Sequence, residues 1–166
     1  KRKDLLTLVK AFKLFKDNTK SNLKLVLAGS KNLNGNKQIY KDIKRYILKN
    51  NLISLIIMPG YVNKNQAMYY FNNAFAYVFP SIDEGFGIPL IEAMRAHVPI
   101  ICSDIEIFKE IGYDSVVYFK KQDYYDLYNQ LKLICDDKTI VNKLISKGIK
   151  RANLFNQKNF IKGFEK

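Results

Sequence analysis

Leu5, Leu8, Val9, Phe12 and Phe15 recur at helical spacing among lysines, so residues 4–16 read as an amphipathic helix. The next stretch, "LKLVLAGS" at 23–30, is instead a continuous apolar run ending in glycine, the pattern of a strand buried on both faces. Residues 37–50 return to helical spacing with Ile39, Ile43, Ile47 and Leu48, and "ISLIIMPGYV" at 53–62 predicts a second buried strand closed by Pro59 and Gly60. A helix over 64–74 with Met68 and Phe71 turned inward and a strand at 75–81, "FAYVFPS", follow. Then come a helix over 89–96, a strand "PIICS" at 99–103, a short helix over 106–112, a strand "SVVYF" at 115–119, and helical sequence from Asp123 almost to the end.

Strands alternating with helices through short loops imply right-handed crossovers and a parallel sheet covered on both faces. The expected fold is a Rossmann-like α/β domain spanning residues 1–166, with no repeat or linker to divide it. Such sheets bind ligands beyond the carboxyl ends of their strands, where Gly29, Gly60 and Ser81 fall.

Composition narrows the class. The 166 residues are 48% hydrophobic and 13% aromatic, enough to build a core and unlike a disordered chain. No uninterrupted apolar run reaches the roughly 18–20 residues of a membrane helix, and "KRKDLL" at the start lacks the apolar centre of a signal peptide. Cys102 and Cys135 stand too far apart to make a zinc motif or disulfide framework, which favours a cytoplasmic setting. A first residue that is not methionine, already at a helix start, reads as a fragment. The formal charge of +13 raises nucleic-acid binding, but 24 of the 28 cations are lysine, whereas base readout favours arginine forks. No nucleic-acid partner is expected; peripheral contact with an anionic membrane surface stays open.

The chemistry concentrates in the loop after the third strand. "SIDEGFGIPLIEAM", 81–94, holds Glu84, two glycines one residue apart, a proline suited to the first helical turn, and Glu92 eight positions after Glu84. Neither Gly87 nor Ile88 can cap the helix with a side chain, so its first N–H groups are open to an anion such as phosphate. Carboxylates accept hydroxyls. Backbone donors for a diphosphate beside glutamates for sugar hydroxyls suit a nucleotide sugar; a glycine turn before a surface helix explains the spacing equally well.

The whole string tips that balance, because "FPSIDEGFGIPLIEAM" resembles the acidic motif of the retaining glycosyltransferases of family 4, enzymes of the two-domain GT-B fold. "KRKDLLTLVKAF", "LVLAGS", "IIMPGYV" and "ICSDIEIFKEIGYDSVVYF" resemble other family segments in the same order. The resemblance implies the donor-binding, C-terminal half of such an enzyme, with the acceptor domain outside this chain. It implies Glu84 against the donor sugar as the catalytic candidate, and Glu92 accepting from the nucleotide ribose. Gly85, Phe86, Gly87 and Ile88 would form the loop that meets sugar and phosphates. The Leu90 N–H would lie near the diphosphate, Arg2 and Lys3 would grip it, and Val62 would lie near the base. No metal or other cofactor is implied. The partners would be the nucleotide-sugar donor and a glycan or lipid-linked acceptor, in the assembly of capsule or lipopolysaccharide.

His97, the one histidine, stands where the family has glycine, and its position after a helix fits a positive-φ helix end better than a catalytic base. Asp104 and Glu106 are the nearest approach to a metal-binding carboxylate pair, and the resemblance places them in a loop and helix start. Tyr69, Tyr70, Phe71, Phe75, Tyr77 and Phe79 read as packing residues. Two other functions fit the same residues: a nucleotide-sugar binding module without transfer activity, and a basic nucleic-acid-binding domain.

Overall fold

The computed structural model describes residues 3–29 and 37–155. Its elements are α1 (Leu5–Asn18), β1 (Leu25–Ala28), α2 (Lys37–Lys49), β2 (Ile56–Gly60), α3 (Lys64–Asn72), β3 (Tyr77–Phe79), α4 (Ile88–Arg95), β4 (Ile100–Ser103), α5 (Glu106–Gly112), β5 (Val117–Phe119), α6 (Tyr124–Asp136) and α7 (Lys138–Asn153). Short polar side chains set several of the boundaries. Asp4 accepts from the Thr7 N–H and hydroxyl to start α1, and Asn63 and Gln66 cap α3 reciprocally. Asp137 ends α6 and, by accepting from the Thr139 and Ile140 N–H groups, starts α7. One long helical tract in the sequence is thereby two helices.

All strand pairs are parallel, as the alternation of elements requires. Instead of one sheet, however, the strands among the described residues form two: β1 pairs with β2, and β3, β4 and β5 pair in that order. The physical reason is that β1 and β3 are not hydrogen-bonded to each other. A cleft of about 600 Å³ lies between them.

The three-stranded sheet divides its side chains by period two between two cores. Val78, Ile101, Val117 and Phe119 face a core completed by α1 and α6; Tyr77, Phe79, Ile100, Cys102 and Tyr118 face one completed by α4 and α5. Helices thus cover both faces. Several expectations of burial fail. Leu48 and Met68 are 60% and 46% exposed, each one residue off the inward face of its helix, which in α2 runs through Ile43 and Ile47 and in α3 through Ala67, Tyr70 and Phe71. Tyr69 and Phe75 are exposed as well. Ile57 in β2 and Ala28 in β1 are also open, so neither strand is buried on both faces.

Candidate functional site

The carboxyl ends of β3 and β4 lie side by side in the register Phe79 to Cys102. Beyond them the buried Ser103 hydroxyl donates to the Ser81 carbonyl, fixing where the chain leaves β3. The start of α1 is stitched to the same place: Lys3 pairs with Ser81 in an antiparallel bridge, and the Asp4 N–H donates to the Pro80 carbonyl at 3.1 Å. Lys3 extends its ammonium over the Phe79 ring, 5.9 Å from its centroid. A cation therefore stands next to the acidic loop.

Glu84 is half-buried in that loop. Its carboxylate accepts from the Ser81 hydroxyl at 3.5 Å and from the Gly85 N–H at 3.3 Å, and it lines a depression of about 340 Å³ with Asp104, Glu106 and Lys121. Gly85 lacks a positive φ, and a Cβ there would meet nothing within 4 Å. Of the two glycines, Gly87 makes the sharp turn. Gly87 has φ 71°, and an added Cβ would lie 3.2 Å from the Phe108 ring.

Gly87 is also the N-cap of α4, and no side chain caps that end. Pro89 has no N–H to give, and the Leu90 N–H donates to the Gly87 carbonyl at 2.8 Å while its side chain is fully buried. The Leu90 N–H, expected beside a diphosphate, is thus already engaged. Among the described residues the Gly87 and Ile88 N–H groups have no acceptor, which leaves them as the donors of this helix start. Phe86 packs edge-on against Phe155 at 6.5 Å between centroids, and Ile88 is exposed.

Glu92 is exposed one turn into α4. Burial first, then the charge of Glu92, then that of Glu84, pushes the hydroxyl of the half-buried Tyr77 far above its ordinary pKa. Tyr77 is thus held as a neutral phenol. Lys3 bridges Ser81 at the head of the loop that carries Glu84 and runs through Gly85 to Ile88 into α4 with Glu92, while Val62 lies with Lys3 in the larger cleft, whose lining does not include Glu84. Arg2 lies outside the described residues.

Sequence reasoning missed Ser103, Tyr77 and Lys121. The signal for the first was present, since "FPS" and "ICS" end neighbouring strands with a serine at nearly the same level. His97 has φ 58°, and its N–H donates to the Met94 carbonyl at 3.1 Å as it ends α4. Asp104 is occupied in structure, accepting from the Lys121 N–H at 2.9 Å, and Glu106 pairs with Lys109 at 2.9 Å. Among the described residues no three His, Cys, Asp or Glu side chains converge as a metal site.

Comparison with known proteins places this loop in context. A family model described as "Glycosyl transferases group 1" matches residues 1–151. The chain is 45% identical over 62 residues to the O-antigen chain mannosyltransferase RfbU of Salmonella typhimurium, a match covering 37% of this chain and 18% of that one. Sucrose-phosphate synthase from Thermosynechococcus elongatus superposes with a TM-score of 0.82 at 25% identity, covering 95% of this chain and 39% of that one. Anabaena Alr3699/HepE in complex with UDP-glucose superposes with a TM-score of 0.82 at 16% identity, over 92% of this chain and 41% of that one. The chain thus spans less than half the length of each.

Proposed function

The chain belongs to the glycosyl transferases group 1 family and has the fold of one half of a GT-B enzyme, and on that premise we propose that it is the donor-binding half of a retaining glycosyltransferase of family 4. It takes a sugar from a nucleoside diphosphate donor and passes it to a glycan or lipid-linked acceptor held by another domain. The observation that carries this reading is the Ser81 to Gly87 loop. It holds a half-buried carboxylate, Glu84, at the uncapped start of α4, with Lys3 bridged to its first residue.

In this reading the diphosphate lies against the Gly87 and Ile88 N–H groups, where helix dipole and backbone donors favour negative charge. Lys3 and Arg2 add positive charge, so the charge that develops on the leaving diphosphate is met by fixed donors without a metal ion. Gly85, with open space where a Cβ would stand, lets sugar and phosphate approach the backbone. Phe86 shapes the outer wall, Glu84 faces the donor sugar, Glu92 accepts from the ribose, and Val62 borders the base. The Leu90 N–H is spent within the helix, so Leu90 acts by packing.

Mannose is the first donor sugar to test because RfbU is a mannosyltransferase of O-antigen chains; glucose is the second because Alr3699/HepE was solved with UDP-glucose. Surface-polysaccharide assembly, as lipopolysaccharide or capsule, at the cytoplasmic face of the membrane fits that relative and the basic surface. No helix among the described residues is long and apolar enough to cross a membrane. Turnover by the whole protein across nucleoside diphosphate sugars, read by proton NMR, is the test. The expected product keeps the donor's anomeric configuration and forms at the same rate in excess EDTA; inversion, or loss of turnover on chelation, contradicts the proposal.

A further inference from the structure

Among the described residues four polar side chains are buried: Thr7, Ser81, Ser103 and Ser115. Two of them serve local turns, since the Thr7 hydroxyl donates to Asp4 at the start of α1 and the Ser115 hydroxyl to the Gly112 carbonyl three residues back. The other two make a relay. Ser103, the last residue of β4, donates its hydroxyl to the Ser81 carbonyl, 22 residues away in sequence, and the Ser81 hydroxyl donates in turn to the Glu84 carboxylate at 3.5 Å.

Packing gives β4 no need of a hydroxyl. Ile100, Ile101 and Cys102 fill the rest of the strand with apolar side chains, and alanine at 103 would continue that pattern. A buried polar group costs free energy unless it is bonded, and a fully satisfied network holds one geometry. Both serines are 0% exposed, so water does not compete for these hydroxyls. Ser103 is itself held in place, because the neighbouring Asp104 donates its N–H to the Phe119 carbonyl at 2.9 Å and accepts from the Lys121 N–H at 2.9 Å through its carboxylate. Ser81 also pairs with Lys3 in the antiparallel bridge. One residue thus ties the end of β4, the start of α1 and the acidic loop to one another.

We propose that Ser103 is a positioning residue for Glu84: through Ser81 it sets where the carboxylate stands against the donor sugar, without touching the donor itself. This rests on the reading of Glu84 as the group that faces the sugar. Ser103 then acts on the sugar-bearing donor and on turnover, while the bare diphosphate, held by the α4 start and the cations, is indifferent to it. A misplacement of about 1 Å near reacting atoms can cost ~100-fold in rate, and the loss of one buried hydrogen bond through a relay is expected to cost about 10-fold.

Two measurements on the whole protein test this. The first needs no substrate: the Gly85 N–H donates to the Glu84 carboxylate at 3.3 Å, so its amide resonance reports where that carboxylate lies. Ser103→Ala should move the Gly85 resonance in the same direction as Glu84→Gln, and Ser115→Ala, which also deletes a buried hydroxyl, should leave it in place. A Gly85 resonance unmoved by Ser103→Ala overturns the proposal. The second measurement is kinetic, with whichever mannose or glucose nucleoside diphosphate supports turnover. Ser103→Ala should lower kcat/KM about 10-fold, leave the affinity for the bare nucleoside diphosphate within about 2-fold, and add less than about 2-fold to the loss already caused by Glu84→Gln. Ser81→Ala, which deletes the hydroxyl on Glu84 and leaves β4 untouched, should behave in the same way and replaces Ser103→Ala if that variant does not fold. Losses that multiply in the double variant, or equal weakening of the bare diphosphate, overturn the relay and leave the role of Glu84 standing. Wild-type turnover in Glu84→Gln overturns the donor reading and the positioning role together.

Discussion

At Gly85 and Gly87 two residues that look alike in sequence have different duties. Gly87 is held at φ 71° with the Phe108 ring 3.2 Å from where a Cβ would stand, whereas Gly85 has an ordinary φ and open space. Gly87→Ala should therefore lose about 1–2 kcal/mol from the left-handed backbone alone, lowering the melting temperature by several degrees. Gly85→Ala should leave stability within about 0.5 kcal/mol. If donor phosphate or sugar packs on that backbone, the same change should weaken donor binding roughly 10-fold by calorimetry, about 1.4 kcal/mol. Wild-type affinity in Gly85→Ala would remove the loop from the donor site. The acidic residues and glycines of this loop were legible as a pattern, but φ and local space are set by Phe108 and Ile111, which lie more than twenty positions away.

Helices and strands were read well where a local signal fixed them. Asp4 and Asn63 make their caps, and every strand lies within its apolar run. What failed was the angular position of two helical faces. In α2 and α3 apolar side chains occur at adjacent positions, and only the packing partner decides which one turns inward, leaving Leu48 and Met68 outside. Tertiary ties between elements were likewise invisible. The Arg151 guanidinium of α7 donates to the Ile111 and Glu110 carbonyls at the end of α5 and lies 5.6 Å from the centroid of the Tyr113 ring, 40 residues away in sequence from Ile111. Hydrogen bonds to charged groups contribute roughly 1.5–3 kcal/mol, and this one is partly exposed. Arg151→Ala should cost about 1–2 kcal/mol in urea unfolding, and Arg151→Lys should recover less than half, because an ammonium lacks the planar fork. Full recovery by lysine would mean that charge alone holds α7 to α5.

Across the whole molecule, the alternation of strand and helix was enough to predict parallel strands with helices on both faces. It did not predict the division into two sheets, because hydrophobic pattern shows that a strand is buried but not what lies beside it. The same limit applies to the site. Glu84 and Glu92 stood out by type and spacing, while the Ser81 hydroxyl that donates to Glu84 and the Ser103 hydroxyl that holds the Ser81 carbonyl come from strand register and burial. On the proposed donor-binding reading, the two carboxylates serve different parts of one donor. Calorimetry on the whole protein, with the nucleoside diphosphate and with the corresponding sugar donor, tests it most directly. Glu92→Gln should weaken both ligands by about 10-fold to 100-fold, the loss of a charge-assisted hydrogen bond to the ribose. Glu84→Gln should leave the bare diphosphate unchanged and weaken only the sugar donor. Equal weakening of both ligands by both substitutions, or no weakening by either, would contradict the division of roles across the loop.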